Sequence, residues 1–398
     1  KQLLSALGQP LGLKTKDPKV LETVSFRSRI KGTPASVAIS DGRLSLDDST
    51  LAFSASASEF AKPNLAFDLN LDQIDLDRYL PEPAEQKEPA QGGTPEKKKK
   101  EKTDYQPLRK LVLDGKVQVG KIKANGARAE AVTIHVKARD GVITVDPFGM
   151  KLYQGRADAR VDLNVQGQVP KTKVTLDASG IQVGPLLKDA AKKDVIEGTL
   201  NADVLLSMQG EDPAMIKKTL NGKGGLLFND GAIIGIDIAG MVRNTAAKFG
   251  SQSSSDERPK TDFAELNIPF TARNGLVKTD GTRMMSPLLR LLATGDIDLV
   301  REILDMRIEP KFVATLKGQG DTQQRSGLMV PLLITGNFAK PKIRPDLKGM
   351  IGGDKGLSPD ALKEQILGTD QEGTKSQESA PREAVRDRIK GLLPGLGN

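Results

Sequence analysis

Along most of the chain, apolar side chains return at every second position. Leu51, Phe53, Ala55 and Ala57 alternate with Ala52, Ser54 and Ser56, and Leu65, Phe67, Leu69 and Leu71 alternate with Ala66, Asp68, Asn70 and Asp72. A period of two belongs to a strand with one dry face and one wet face. The pattern begins with Val24, Phe26, Ser28 and Ile30 and continues through Val37, Ile39, Leu44 and Leu46. It resumes after Leu111 as Val132, Ile134 and Val136, then Ile143 and Val145, then Val161, Leu163 and Val165. Val174 and Leu176 follow, then Leu200, Ala202, Val204 and Leu206. Asp41-Gly42, Asp114-Gly115, Asn125-Gly126, Asp140-Gly141, Asn221-Gly222, Asp230-Gly231, Asn274-Gly275 and Asp280-Gly281 punctuate these runs. Each reads as a tight turn, because Asn, Asp and Gly tolerate φ > 0. Together the runs predict roughly twenty short strands joined mostly by hairpins.

A few segments break the period. Leu186 to Val195 reads as a short helix. Asp212-Pro213 starts another, with Asp capping and Pro at the first helical position, and Met215, Ile216 and Leu220 on its buried side. After Gly235 the apolar spacing becomes helical, through Ile238, Ala239, Val242, Ala246 and Phe249. Lys1 to Leu13 resembles the end of a helix. Short helices are expected from Ser358 to about Leu367 and from Pro381 to Leu393. The last is basic and amphipathic, and suits packing on its own sheet or docking on a membrane or partner. Residues 81–104, rich in Pro, Glu and Lys, bury too little to offset chain entropy. The expected organisation is a partial N-terminal β-unit (1–80), that linker (81–104), a β-repeat unit (105–210), a C-terminal β-region with short helices (211–347) and a linker with amphipathic helices (348–398).

Composition narrows the function classes. The 398 residues are 37% hydrophobic but only 4% aromatic, with no Trp and no Cys. That excludes disulfides, Cys-ligated zinc, iron–sulfur clusters and a Cys nucleophile. The net charge is +8 and the pI about 9.3. Part of this charge sits in Lys97–Lys100 and Lys102 of the linker, and the strands lack the aromatic platforms of single-strand binders. No nucleic-acid partner is therefore expected; weak attraction to anionic membrane surfaces fits better. No apolar run approaches the roughly 18 residues of a transmembrane helix. His135, the sole histidine, lies by alternation opposite the apolar face, which leaves no Ser–His triad or zinc set. Asp72, Asp75 and Asp77 lack EF-hand spacing and read as a strand-end acidic cluster. With no nucleotide-binding motif in a strand–turn–helix context, neither a cofactor nor an enzymatic activity is expected.

The aliphatic face must be covered or used. A closed sandwich or barrel covers it with another sheet, and a curved open sheet offers it to apolar ligands. About twenty strands at ~4.8 Å each would extend ~100 Å in one sheet, so the second arrangement requires strong curling. Alternation leaves both open.

Several runs of residues carry a family resemblance. LNGKGGLLFNDGAIIGIDIAGMVR (Leu220 to Arg243) is followed by FAELNIPFTARNGLV (Phe263 to Val277), SPLLRLLATGDIDL (Ser286 to Leu299) and VPLLITGNFAKPKIRPDL (Val330 to Leu347). In this order they resemble the C-terminal signature of the AsmA family of bacterial envelope proteins. Leu111 to Leu187 resembles the family's repeated unit. LNLDQIDLDRYLP, ending at Pro81, parallels LDASGIQVGPLL, ending at Leu187, as a weak internal repeat.

The resemblance implies a mainly β fold: an elongated, curved, antiparallel, U-shaped groove similar to that of bridge-like lipid transfer proteins, with a few short helices and a helical C-terminal tail. It implies a periplasmic protein, held to the inner membrane by an N-terminal anchor outside this sequence. Such a protein would bind or conduct phospholipids between the inner and outer membranes through their acyl chains, in support of outer-membrane biogenesis. An outer-membrane or other envelope protein would be its partner. The lining candidates are Val132, Ile134, Val136, Ile143, Val145, Val161, Leu163, Val165, Val174, Leu176, Val204 and Leu206, and burial in an ordinary core is the competing role for each. The alternative function is a scaffold that assembles outer-membrane proteins through contacts at a sheet edge.

Overall fold

The computed structural model describes residues 15–81, 103–238, 258–287, 289–312 and 331–346. The chain divides into two units, Lys1–Leu347 and Lys348–Asn398, and every described residue belongs to the first. The helices expected at both ends of the chain, the helix expected beyond Ile238 and nearly all of the 81–104 linker lie outside the described residues.

The fold is mainly β, a single long, curved, open sheet of 17 strands with three short helices. Its first nine strands are β1 (Val24–Thr33), β2 (Ser36–Leu46), β3 (Ser49–Ser58), β4 (Asn64–Asp75), β5 (Val112–Ala124), β6 (Ala127–Arg139), β7 (Val142–Leu152), β8 (Gly155–Asn164) and β9 (Lys171–Gln182). The others are β10 (Ile196–Gln209), β11 (Asn221–Ile234), β12 (Lys260–Arg273), β13 (Leu276–Met285), β14 (Leu289–Asp298), β15 (Ile303–Phe312), β16 (Leu332–Asn337) and β17 (Lys342–Pro345). Each strand pairs with its neighbours in the chain, antiparallel throughout except where β4 meets β5 in parallel. The ladder runs unbroken through β4–β5 and β10–β11.

The strands are fewer and longer than the turn signals suggest, because five of the eight Asx-Gly pairs lie within strands rather than at hairpins. Asn125-Gly126, Asp140-Gly141 and Asn274-Gly275 do turn the chain. Asp41-Gly42, Asp230-Gly231 and Asp280-Gly281 lie inside β2, β11 and β13, beside register shifts. Asp41 and Asp230 each have φ of 49°. A left-handed residue serves a β-bulge as well as a two-residue turn, and short-range sequence does not separate the two. Asp114-Gly115 and Asn221-Gly222 are also strand residues, within β5 and β11.

The three helices lie at strand ends. α1 (Gln106–Lys110) precedes β5, and α2 (Val183–Ala191) links β9 to β10, starting three residues before the expected Leu186. α3 (Pro213–Thr219) begins where Asp212-Pro213 predicts, and the Met215 N–H donates to Asp212 Oδ1 at 3.0 Å. A 3₁₀ turn at Leu76–Arg78 ends β4 as α2 ends β9. β4 runs parallel to β5, and antiparallel pairs carry that direction to β9, so both helical turns lie at one end of the strands.

The two parts of the apolar face are packed differently. From β12 to β14 it is largely dry: Leu289 is 0%, Met284 1% and Phe263 3% exposed, in a cluster joined by Val183 of α2 and by Ile238 and flanked by half-buried residues of β11 and β15. From β3 to β9 its side chains are mostly half-buried and strictly alternate with exposed ones in β3, β4 and β9.

Candidate functional site

The apolar face is the feature that the sequence alternation leaves for function. Register shows how the candidate residues meet. Val132 stands opposite Val119, and Ile134 opposite Val117. Val136 faces Val145 across β6–β7. Ile143 faces Leu163, and Val145 faces Val161, across β7–β8. Val161 then faces Val174, Val174 faces Leu206, and Leu176 faces Val204. Eleven of the twelve candidates thus share one face of one ladder.

Val165 differs from the others. It lies past the end of β8 and is fully buried. Its N–H donates to the Gly141 carbonyl at 2.8 Å, and its own carbonyl accepts from Arg109 Nε of α1 at 2.7 Å. This is a packed strand-end position, although its parity matches Val161 and Leu163. Val132 and Val204 are also nearly buried, at 6% and 8%, while the other nine are half-buried.

The register traces one transverse row without a polar side chain: Ile39, Ala55, Phe67, Gly115, Val136, Val145, Val161, Val174, Leu206, Gly222 and Ala272, from β2 to β12. Ten strand spacings make this row roughly 48 Å long. Sequence reasoning identified the alternation in β3 and β4 but did not carry Leu51, Phe53, Phe67 and Leu69 into the candidate set. It could not have placed Phe148. β7 carries an extra residue at Asp146-Pro147, so Phe148 follows Val145 on the same face although their parities differ. Proline donates no N–H and suits that unpaired position.

The opposite face is polar and charged. Arg160 pairs with Asp146 at 2.6 Å and with Asp162 at 2.9 Å, and Lys278 pairs with Asp296 at 3.0 Å. Such exposed pairs contribute little to stability. They do show that much of the positive charge is interleaved with acids. His135 lies on this face, its Nε2 2.7 Å from Asp114 Oδ1. The His135 hydrogen bond, above all, holds the Asp114 carboxyl below its usual value.

The acidic cluster is used to fasten one end of the strands. Asp77 accepts from the N–H groups of Asn125 and Gly126, the latter at 2.8 Å, so the β4 end grips the β5–β6 turn. Chiefly through the Gly126 bond, its carboxyl is held below the usual range. Lys123 pairs with Asp75 at 3.0 Å. Burial pushes Asp47 up, but N–H groups of Leu21, Glu22 and Thr23 and the Tyr79 hydroxyl outweigh it and hold the carboxyl low. Burial, then the bond to Asp47, pushes Tyr79 up to about 12. Among the described residues no group of three or more His, Cys, Asp or Glu could hold a metal ion, and no helix is long and apolar enough to cross a membrane.

A single long sheet, polar on one face and continuously aliphatic on the other, defines an open-faced β-sheet protein of repeat character. The AsmA family model matches residues 36–282, and the chain belongs to that family. It is 19% identical over 328 residues to Protein AsmA of Escherichia coli (strain K12), across 79% of this chain and 53% of that protein. The chain therefore spans about half the length of the curated relative it matches. No solved structure matches it significantly.

Proposed function

We propose that the apolar face from β2 to β10 is a groove for phospholipid acyl chains, in a periplasmic protein anchored at the inner membrane that moves or holds phospholipids between the two membranes of the envelope. The observation that carries this reading is the unbroken transverse row from Ile39 to Leu206, which has no polar side chain, is mostly half-buried and is covered by no second sheet among the described residues. Every CH₂ transferred from water to such a surface contributes about 0.8 kcal/mol, so two long chains supply ample driving force. An aliphatic lining with no fixed polar partner binds a chain nearly equally at each position, which permits sliding. Headgroups stay in water at the open side.

The test is native purification followed by extraction and mass spectrometry of bound lipid, against a soluble protein handled alike. Phospholipid in clear excess is expected. Leu163→Glu, at a half-buried lining position, is expected to strip the lipid while leaving the circular dichroism and melting temperature nearly unchanged. Lipid no greater than the control in a folded sample defeats the reading, and unfolding of Leu163→Glu would point to a dry core. A second reading is a scaffold that pairs with strands of an outer-membrane protein. It draws on β1, which pairs only with β2 among the described strands and exposes Val24, Phe26 and Ile30 at 45%, 59% and 64%. Site-specific crosslinks from β1 to a strand peptide, without bound lipid, would favour it.

A further inference from the structure

Four phenylalanines on the apolar face stand directly opposite glycines. Phe53 faces Gly42, Phe67 faces Gly115, Phe270 faces Gly224 and Phe263 faces Gly231. In each pair the ring lies in the space a glycine Cβ would fill. A Cβ at Gly115 would come within 2.2 Å of the Phe67 ring, and one at Gly42 within 2.7 Å of the Phe53 ring. At Gly231 and Gly224 the ring distances are 2.7 and 2.9 Å. Gly42 and Gly115 are buried, and the rings above them are half-buried.

Ring positions at β1–β3 show the direction of lean. Phe26 and Phe53 lie two strands apart, a separation of roughly 9.6 Å between backbones. Their ring centroids are only 6.0 Å apart, with planes 28° from parallel. The rings thus incline towards each other across β2, and Gly42 is the strand residue over which Phe53 passes. Phe67 does the same at the β4–β5 parallel joint, where Gly115 continues the transverse row between Phe67 and Val136. With its ring laid over Gly115, Phe67 does not interrupt a floor otherwise made of Ala, Val, Ile and Leu.

We propose that Gly42 and Gly115 are positioning residues that lay the Phe53 and Phe67 rings along the groove floor, so that an acyl chain passes these rings without a step. This rests on the groove reading above. Packing of a ring over a strand glycine also stabilises a sheet. That role alone accounts for Gly231 and Phe263, which lie in the dry region. At Gly42 and Gly115 the rings border the open floor, and a side chain there would raise a ring into the path of the lipid.

The experiment measures transfer of a fluorescent phosphatidylethanolamine between vesicles of phosphatidylethanolamine and phosphatidylglycerol, well below each variant's melting temperature. Gly42→Ala and Gly115→Ala are expected to lower transfer several-fold per folded molecule. The double variant Phe67→Ala/Gly115→Ala, with no ring to lift, is expected to recover most of it. A purely structural glycine would change the melting temperature and leave transfer per folded molecule unchanged, and that result overturns the proposal. So does a folded double variant that fails to recover. If the alanine variants do not fold, Phe67→Trp gives an independent reading, because the chain contains no other tryptophan. A ring on the floor is expected to be quenched by phospholipid carrying a doxyl group on its acyl chain, and bound lipid without quenching overturns the assignment. Wild-type protein that takes up no phospholipid defeats the groove and the notches together, whereas normal transfer in the glycine variants defeats the notches alone.

Discussion

At the scale of single residues, the acidic side chains at the end of β4 do structural work that their spacing alone does not specify. Asp72, Asp75 and Asp77 read in sequence as a strand-end acidic cluster, and Asp77 ties β4 to the β5–β6 turn through two backbone N–H groups. Removing its charge with Asp77→Asn is expected to cost about 1–2 kcal/mol, since hydrogen bonds to ionised groups lie at the strong end of the range. Thermal unfolding at pH 7 measures it. The folded pKa of Asp77 lies below its ordinary 3.8. Its contribution is therefore complete above that value and is lost as pH falls through the folded pKa. Wild-type melting temperature is expected to fall as pH drops below about 4, and Asp77→Asn is expected to fall less steeply over the same interval. Equal slopes would mean that this carboxylate does not couple to folding.

At the scale of elements, the same alternation produces two kinds of packing. In β14, Leu289, Leu291 and Ala293 are buried while Arg290, Leu292 and Thr294 are exposed. In β4, Leu65, Phe67, Leu69 and Leu71 alternate as regularly but remain half-buried. Leu289→Ala leaves a cavity in a closed cluster and is expected to cost about 2–5 kcal/mol. Leu69→Ala removes a side chain from a surface still partly in water, so about 1–2 kcal/mol is expected. Urea midpoints compare the two, and equal losses would contradict an open face in β4. The strands themselves were legible because a period of two survives in almost every one of them. Their ends were less so: Asp230-Gly231 and Asp280-Gly281 have the chemistry of turns, and only pairing with a neighbouring strand, β10 for the first and β14 for the second, decides that they are bulges.

Across the whole described sheet, stability is expected to be graded. Backbone pairing links each described strand only to its neighbours in the sheet, so local opening competes with global unfolding. Among the described strands β1 pairs only with β2, and it is exposed along nearly its whole length, whereas β12 to β14 pack into the buried cluster. Amide exchange is expected to be fastest in β1 and slowest in β12–β14, read by mass spectrometry of exchanged peptides. Uniform protection would mean that the sheet opens as one unit. On the groove reading proposed above, the transverse row matters at this scale too, because passage of a lipid along it would need every joint from β2 to β10 to keep its register, including the single parallel one.

Sequence by itself determined the class of secondary structure, the sidedness of the strands, the start of α3 and the shared face of eleven of the twelve candidate residues, because side-chain direction in a regular strand depends on parity alone. The family signature reinforced the expected architecture. Tertiary structure decided what parity cannot carry across an irregularity. The extra residue at Asp146-Pro147 returns Phe148 to the apolar face, and the end of β8 places Val165 in packing rather than on the strand. Register also decided that glycines would lie under the phenylalanine rings, since Phe67 and Gly115 are 48 residues apart in the chain and meet only because β4 and β5 run parallel. Burial followed the same logic: an alternating strand records which face is apolar, but only the neighbouring elements determine whether that face is dry or open.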